Sequence, residues 1–312
     1  MSHPFRTALI AGALALITTG CATFTNTAVV AEVDDAEISD DRFEEMSAIY
    51  FERGDAFGTE PPVQGAVNAE ASRFLLSALV NQQLFRSFLA EQGVDATEDR
   101  EFYRNEVIPA SQLGELGLDD EFLALITDIN EEVRARSFAR VQTPNVDELR
   151  TAYERDPDSV GVACVRHILV ATRDEAEAIV DDLDAGAAFE ELAEAQSTDP
   201  SAVGQGGAIR DPQSDNECIL LETVVRGFDP GFAQGVLDAS VGVPTEPIES
   251  SFGWHVILHR PWDEVADSVT ALHQPGASGK LLFDGFAATA DIEVDPRYGT
   301  WNRLASAVQP IG

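Results

Sequence analysis

The side chains able to do chemistry in this chain are few: five histidines, three cysteines and whichever of 55 acidic residues lie beside them. His167 falls in Cys164–Val170 (CVRHILV) and His255 in Trp254–His259 (WHVILH), both of which read as strands. In the first, alternation sets His167 on one face with Val165 and Leu169, and Cys164, Arg166 and Ile168 on the other. Strand histidines are by default core residues satisfied by hydrogen bonds. Taken with Asp199 they could form a facial metal triad, but the spacing 167, 199, 255 matches no metal motif. Asp199 precedes Pro200, which by itself marks a turn. Phe228 and Phe232, four apart, belong to a helix face and read as core. The chain has no Gly-x-Ser-x-Gly elbow and no Walker-type loop. Acyl transfer and nucleotide hydrolysis are therefore not indicated.

Charge narrows the partners further. With 20 Lys+Arg against 55 Asp+Glu the formal net charge is −35, and Lys280 is the single lysine. Phosphate backbones and anionic headgroups both need a cationic surface, so nucleic acid is excluded as a partner, as is docking on lipid through a basic patch. The hydrophobic share of 44% is ample for a buried core, and 312 residues suggest about two domains.

The start, MSHPFRTALIAGALALITTGCATF, carries Arg6, an apolar run from Ala8 to Ile17 and then Gly20-Cys21. That run is too short for a bilayer core, which needs roughly 20 residues. Residues 1–20 read as a signal peptide. Gly20-Cys21 resembles a bacterial lipobox, in which Cys21 would take the lipid and anchor the chain to the outer face of the cell membrane. A plain cleaved signal is the alternative. With Cys21 modified, Cys164 and Cys218 remain as an even pair in an oxidising compartment, either bonded or buried as thiols.

The elements that must position these residues follow from periodicity. Ala28–Ser39 alternates as a strand and turn. Glu70–Gln92 is a helix with Phe74, Ala78, Phe85 and Phe88 recurring, stopped by Gly93. Thr97 reads as the N-cap of the next helix. One further helix carries Phe122, Ile126, Ile129 and Val133, and another starts near Thr143-Pro144 with Val146, Leu149 and Tyr153 on one side. Thr172–Glu175 is a capping box opening a helix that Gly186 ends. Phe189–Ala195 is a short helix, and Asp229–Ala239 is another with Pro230 in its first turn. Leu281–Ala288 is helical, and Ala290–Val294 is a strand expected to return to the N-terminal segment. The order β-α-α-loop-α-β-β between residues 164 and 259 indicates an α+β domain.

Over Val162–Trp262, the run RHILVATRDEAEAIVDDLDAGAAFEELAEAQSTDPSAVGQGGAI followed by FDPGFAQGVLDASVGVPTEPIESSFGWHVI resembles a parvulin-type peptidyl-prolyl isomerase domain. The flanks look like extracytoplasmic foldases of the SurA/PrsA type, and Asp291–Trp301 is similar to the tail of their actinobacterial branch. The resemblance implies an α+β fold: a parvulin domain, an antiparallel four-stranded sheet flanked by helices, inserted in a mainly α-helical chaperone domain. Its boundaries would be 21–160 for the helical domain, 161–262 for the parvulin domain and 263–312 for a C-terminal helix and strand packing back. It implies catalytic roles for His167, Asp199 and His255, a proline slot from Ile209, Phe228 and Phe232, and a hydroxyl at Ser250 joining the polar network. No cofactor or metal is implied. The partners would be unfolded or nascent secreted polypeptides containing X-Pro bonds. Two departures stand out. The family's Gly-Gly-Asp-Leu-Gly reads Gly206-Gly207-Ala208-Ile209-Arg210, and the stretch Asp211–Arg226 is longer than the usual turn. They leave open a holdase with an inactive parvulin domain, in which Arg210 would occupy the slot.

Overall fold

A computed structural model describes residues 28–52, 68–107, 118–200 and 204–312; the signal segment and Cys21 lie outside the described residues. The chain opens as a hairpin, β1 (Val29–Val33) and β2 (Ala36–Ser39), turning at Asp34-Asp35. Helix α1 (Asp40–Glu52) follows, then α2 (Ala69–Glu91), capped by Asn68, whose Oδ1 accepts from Glu70 N at 2.8 Å. Next come α3 (Thr97–Phe102), continued by a π-helical turn at Tyr103–Val107, and α4 (Asp120–Asp128), α5 (Glu131–Phe138) and α6 (Val146–Arg155). Much later in the chain, α12 (Ser278–Thr289) and β8 (Ile292–Val294) rejoin this body. β8 pairs antiparallel with β1, Ala31 opposite Val294, as the sequence suggested. Phe85, Phe88, Phe138 and Phe283 interlock in the core, mostly edge to face. A terminal hairpin, β9 (Thr300–Asn302) and β10 (Ala307–Gln309), closes over α2.

Between the two parts of this body stands the unit that carries the histidines. It runs β3 (Val162–Ala163), β4 (Val165–Val170), α7 (Arg173–Asp184) and α8 (Phe189–Gln196). It continues as β5 (Ile219–Leu220), α9 (Leu221–Gly227), α10 (Pro230–Asp238), β6 (Ile248–Ser250) and β7 (Gly253–His259). The Thr172–Glu175 capping box is present at the start of α7. The main sheet has the order β4-β7-β6, all antiparallel. The expected fourth strand is shortened. Gly207–Ile209 lies along the free edge of β4 with two backbone hydrogen bonds, His167 N to Gly207 O at 2.9 Å and Ile209 N to Val165 O at 3.1 Å. Gly206 and Gly207 have φ of 59° and 80°, outside the strand region, so no ladder can extend from them. A side chain at Gly207 would also meet His167 O at 2.7 Å.

Helix α11 (Trp262–Leu272) packs on α6. Their shared core holds Leu149, Tyr153, Trp262 and Val265 beside a disulfide joining Cys164 to Cys218.

Several local expectations are corrected. Phe74 is 62% exposed, because Leu75, Leu76, Leu79 and Val80 form the inward face of α2. Thr97 does not cap α3; its own N–H and hydroxyl donate to Asp95 Oδ1 at 2.9 and 2.7 Å. The single helix read through Phe122 and Val133 is two, broken at Ile129 and restarted by the Asn130 cap. Val146 is 49% exposed, while Leu149 and Tyr153 are buried as expected. Helices α9 and α11 were not anticipated.

Candidate functional site

Strand register builds the centre of the site. His255 pairs with Leu169 and His167 with Ile257, so the two histidines sit diagonally on one face of adjacent strands. Their rings are nearly parallel, with centroids 5.4 Å apart and Nδ1 to Nδ1 3.2 Å. Asp199 follows the end of α8. There Ser197 Oγ accepts from Leu169 N at 3.2 Å and from Asp199 N at 3.3 Å, and Thr198 N donates to Leu169 O at 2.8 Å. This anchorage brings Asp199 Oδ2 to 2.8 Å from His167 Nε2, an ion-pair distance, although the N–H axis is off the oxygen. On the far side, His255 Nε2 lies 2.7 Å from Ser250 Oγ, which also accepts from Phe252 N at 3.0 Å. Asp199, His167, His255 and Ser250 therefore form one line across the sheet, from a half-buried carboxylate to a half-buried hydroxyl.

The protonation pattern of that line follows from its ends. With a hydrogen on Nε2, toward the carboxylate, His167 would offer Nδ1 as the acceptor. His255 then donates from Nδ1, and its Nε2 accepts the Ser250 hydroxyl. The His255 ring is neutral in this arrangement. Burial, and next the neighbouring His167, hold the His255 imidazole down at a pKa of about 4.

The aromatic residues converge on the same place. Phe232 sets its edge against His167 at 5.4 Å and against His255 at 5.0 Å, and Phe228 stacks on Phe232 at 5.5 Å. Only 3% of Phe232 is exposed: it is a wall of the domain core behind the histidines. Ile209 and Phe228 are half-buried and belong to the same apolar cluster. Arg210 does not reach them. Its guanidinium is held by Asp215 Oδ1 at 2.9 Å and Glu217 Oε1 at 2.6 Å, and Glu217 in turn binds Arg260 Nη1 at 2.7 Å. The long Asp211–Arg226 stretch thus supplies the acids that pull this cation aside. Among the described residues no cluster of histidine, cysteine and carboxylate side chains is arranged to hold a metal ion.

Two residues of the site escape a reading by side-chain type. Ser197 hides as an ordinary polar residue at a helix end. Asp229, whose carboxylate binds Gly231 N and Ser251, reads only as a helix N-cap before Pro230. That cap signature was the available signal.

Comparison with known proteins agrees with this geometry. Residues 167–260 match the rotamase family described as the PPIC-type PPIase domain. Over 108 residues the chain is 32% identical to the foldase protein PrsA of Clostridium kluyveri, covering 35% of this chain and 28% of that one. Over 244 residues it is 25% identical to the foldase protein PrsA of Halalkalibacterium halodurans, covering 68% of each. The crystal structure of the peptidylprolyl isomerase PrsA from Bacillus anthracis aligns with 68% of this chain and 95% of its own. The identity there is 23% and the TM-score 0.28, too low to define a shared arrangement of domains.

Proposed function

Taking residues 167–260 as a parvulin-type (PPIC-type) domain, we propose that the protein is a peptidyl-prolyl cis-trans isomerase and foldase acting on secreted polypeptides outside the cytoplasm. The observation that carries the reading is the buried histidine pair, packed against Phe232 and bounded by Asp199 and Ser250.

Amide resonance sets a barrier of ~18–20 kcal/mol to rotation about the peptide bond. X-Pro isomerisation without help therefore takes tens of seconds or more. No covalent bond breaks, so the catalyst needs only to bind the twisted amide better than the planar one. The twisted amide has lost its resonance and is less charge-separated, which favours a dry surface over water. Ile209 and Phe228, backed by Phe232, would take the proline ring. The line His167–His255–Ser250, with His255 neutral, would present hydrogen-bonding groups to the amide, while Asp199 holds the His167 end. Each factor of ten in rate needs only ~1.4 kcal/mol, so small differences in packing and hydrogen bonding suffice.

The division into a helical domain (21–160), the isomerase domain (161–262) and a returning C-terminal segment (263–312) belongs to this reading. So does an extracytoplasmic location with lipid on Cys21, which the Cys164–Cys218 disulfide supports through its need for an oxidising compartment. A second activity, holding unfolded segments, is favoured by one feature of the helical body. Phe74 stands exposed on α2, stacked on Tyr50 at 6.1 Å, with no core role to explain it.

Exchange between cis and trans forms of an X-Pro peptide, followed by NMR with and without the mature protein, tests the reading. Acceleration that Phe228→Ala removes supports it. No acceleration, with aggregation of an unfolded client still suppressed, would leave only the holdase.

A further inference from the structure

We propose that Asp229 is a positioning residue of this site, holding the Ser250–Gly253 turn where the Ser250 hydroxyl meets His255. The inference rests on the isomerase reading and extends it to a residue outside the histidine line.

Asp229 precedes Pro230 at the start of α10, and one of its oxygens does what an N-cap must: Oδ1 accepts from Gly231 N at 2.9 Å. The other oxygen is committed elsewhere. Oδ2 takes both donors of Ser251, the hydroxyl at 2.7 Å and the backbone N–H at 3.2 Å, from a residue 22 positions further along. Serine or asparagine would cap the helix as well as aspartate does. The second oxygen is what distinguishes the carboxylate.

Ser251 and Phe252 are the two turn residues between β6 and β7. Immediately before them, Ser250 Oγ points to His255 Nε2. The clasp therefore ties the aromatic helix, with Phe228 and Phe232 at its entrance, to the turn that sets the end of the histidine line. The approach is close by construction: a Cβ on Gly231 would fall 2.2 Å from Glu249 O, so the helix end is seated directly on β6. Phe252, at the tip of the fixed turn, is 73% exposed beside the site. The groups facing His255 are His167 from β4, Asp199 beyond α8, Asp229 before α10 and Ser250 from β6. The Asp229 carboxylate is thus also the charge that this end of the line senses.

Two variants separate cap from clasp. Asp229→Ser keeps a helix cap but cannot reach Ser251, and Ser251→Ala keeps the cap untouched and removes the 2.7 Å hydrogen bond. Both are expected to melt close to the wild type. Turnover of an X-Pro peptide should fall about tenfold in Asp229→Ser and about threefold in Ser251→Ala, with KM little changed, the pattern of a contact that matters only in the transition state. The His255 Nε2 resonance, read by long-range proton–nitrogen NMR at neutral pH, should move toward the value of an unbonded imidazole in both. Wild-type rates together with an unmoved resonance in both variants would overturn the proposal. A wild-type protein that accelerates no X-Pro peptide would instead overturn the isomerase reading, while the His255 resonance still decides whether Asp229 places the turn.

Discussion

Two of the polar clusters buried among the described residues are built on opposite principles. In the helical body, Asp128 at the end of α4 is fully buried and saturated with charge-assisted bonds. Its Oδ2 accepts from Arg86 Nε at 2.7 Å and Gln82 Nε2 at 3.0 Å, its Oδ1 from Arg100 Nε at 2.5 Å, and its carbonyl from Arg134 Nε at 2.8 Å. Helices α2, α3, α4 and α5 are thereby stitched at one point. The histidine line has no such excess of charge. Burial holds His255 neutral, and both ends of the line are half open. A saturated ionic cluster fixes geometry, because any displacement strands a buried charge. A neutral line can exchange one hydrogen-bond partner for another at small cost, which suits a surface that must meet a changing amide.

The largest test of this contrast is in the body. Asp128→Ala leaves Arg86, Arg100 and the desolvated Arg134 without their anion, and should cost roughly 3–5 kcal/mol, read as a drop in the urea midpoint at unchanged slope. Replacing Cys164 and Cys218 together by serine opens a link across 54 residues and should cost up to about 4 kcal/mol in the same measurement. Ser250→Ala, in the histidine line, should cost only about 1 kcal/mol while slowing isomerisation. A Ser250 cost equal to that of Asp128 would erase the distinction.

The two phenylalanines sharpen it within the site. Phe232 is core, so Phe232→Ala should destabilise by about 3–5 kcal/mol and lose activity as a consequence. Phe228 keeps solvent exposure. Phe228→Ala should leave the melting curve nearly in place and lower kcat/KM about tenfold, close to 1.4 kcal/mol in the transition state. Equal thermal losses in the two variants would place Phe228 in the core as well.

How far the sequence alone reached follows the same physics. Features with short-range causes were legible: the Thr172–Glu175 box, the Gly93 and Gly186 stops, and the alternation that put His167 on one strand face. The return of Ala290–Val294 to the first segment is expected in the reading along the chain, and β8 does pair with β1. What failed depended on competition. Thr97 looks like a cap until Asp95, two residues earlier, takes its donors. The spacing Phe122, Ile126, Ile129, Val133 continues through a helix break because Asn130 restarts the same period. The fourth strand was shortened by Gly206 and Gly207, whose conformations no periodicity reveals. In the site, residue identities came from the family motif, whereas the two halves of Asp229's role come from pairing across 22 residues. The spacing of Phe228 and Phe232 reads as core and the resemblance adds them to the slot; only the packing of α10 on the sheet shows how little of Phe232 is exposed behind the histidines.

The smallest expected effect is on rate across ordinary pH. His255 titrates near 4, so its ring is already neutral throughout pH 5.5–8, and its titration should leave kcat/KM flat there. Stability behaves differently. An unfolded histidine takes up its proton near 6.5, whereas folded His255 does so only near 4; between those values the unfolded state binds more protons. Stability is thus at its full value above 6.5, declines as the pH falls, and has lost the whole contribution below 4. Buried His273 acts in the same direction. His259, held near 4, also acts in this direction. It lies 3.7 Å from Asp158, whose buried carboxyl is pushed well above the usual range and contributes with the opposite sign. Thermal unfolding from pH 7 to 4.5 should therefore show a steady fall that His273→Gln and His259→Gln each reduce. A rate that already falls between pH 7 and 6, with the fold intact, would mean that the line takes up charge in that range, and a neutral His255 would no longer distinguish this site from the ionic cluster at Asp128.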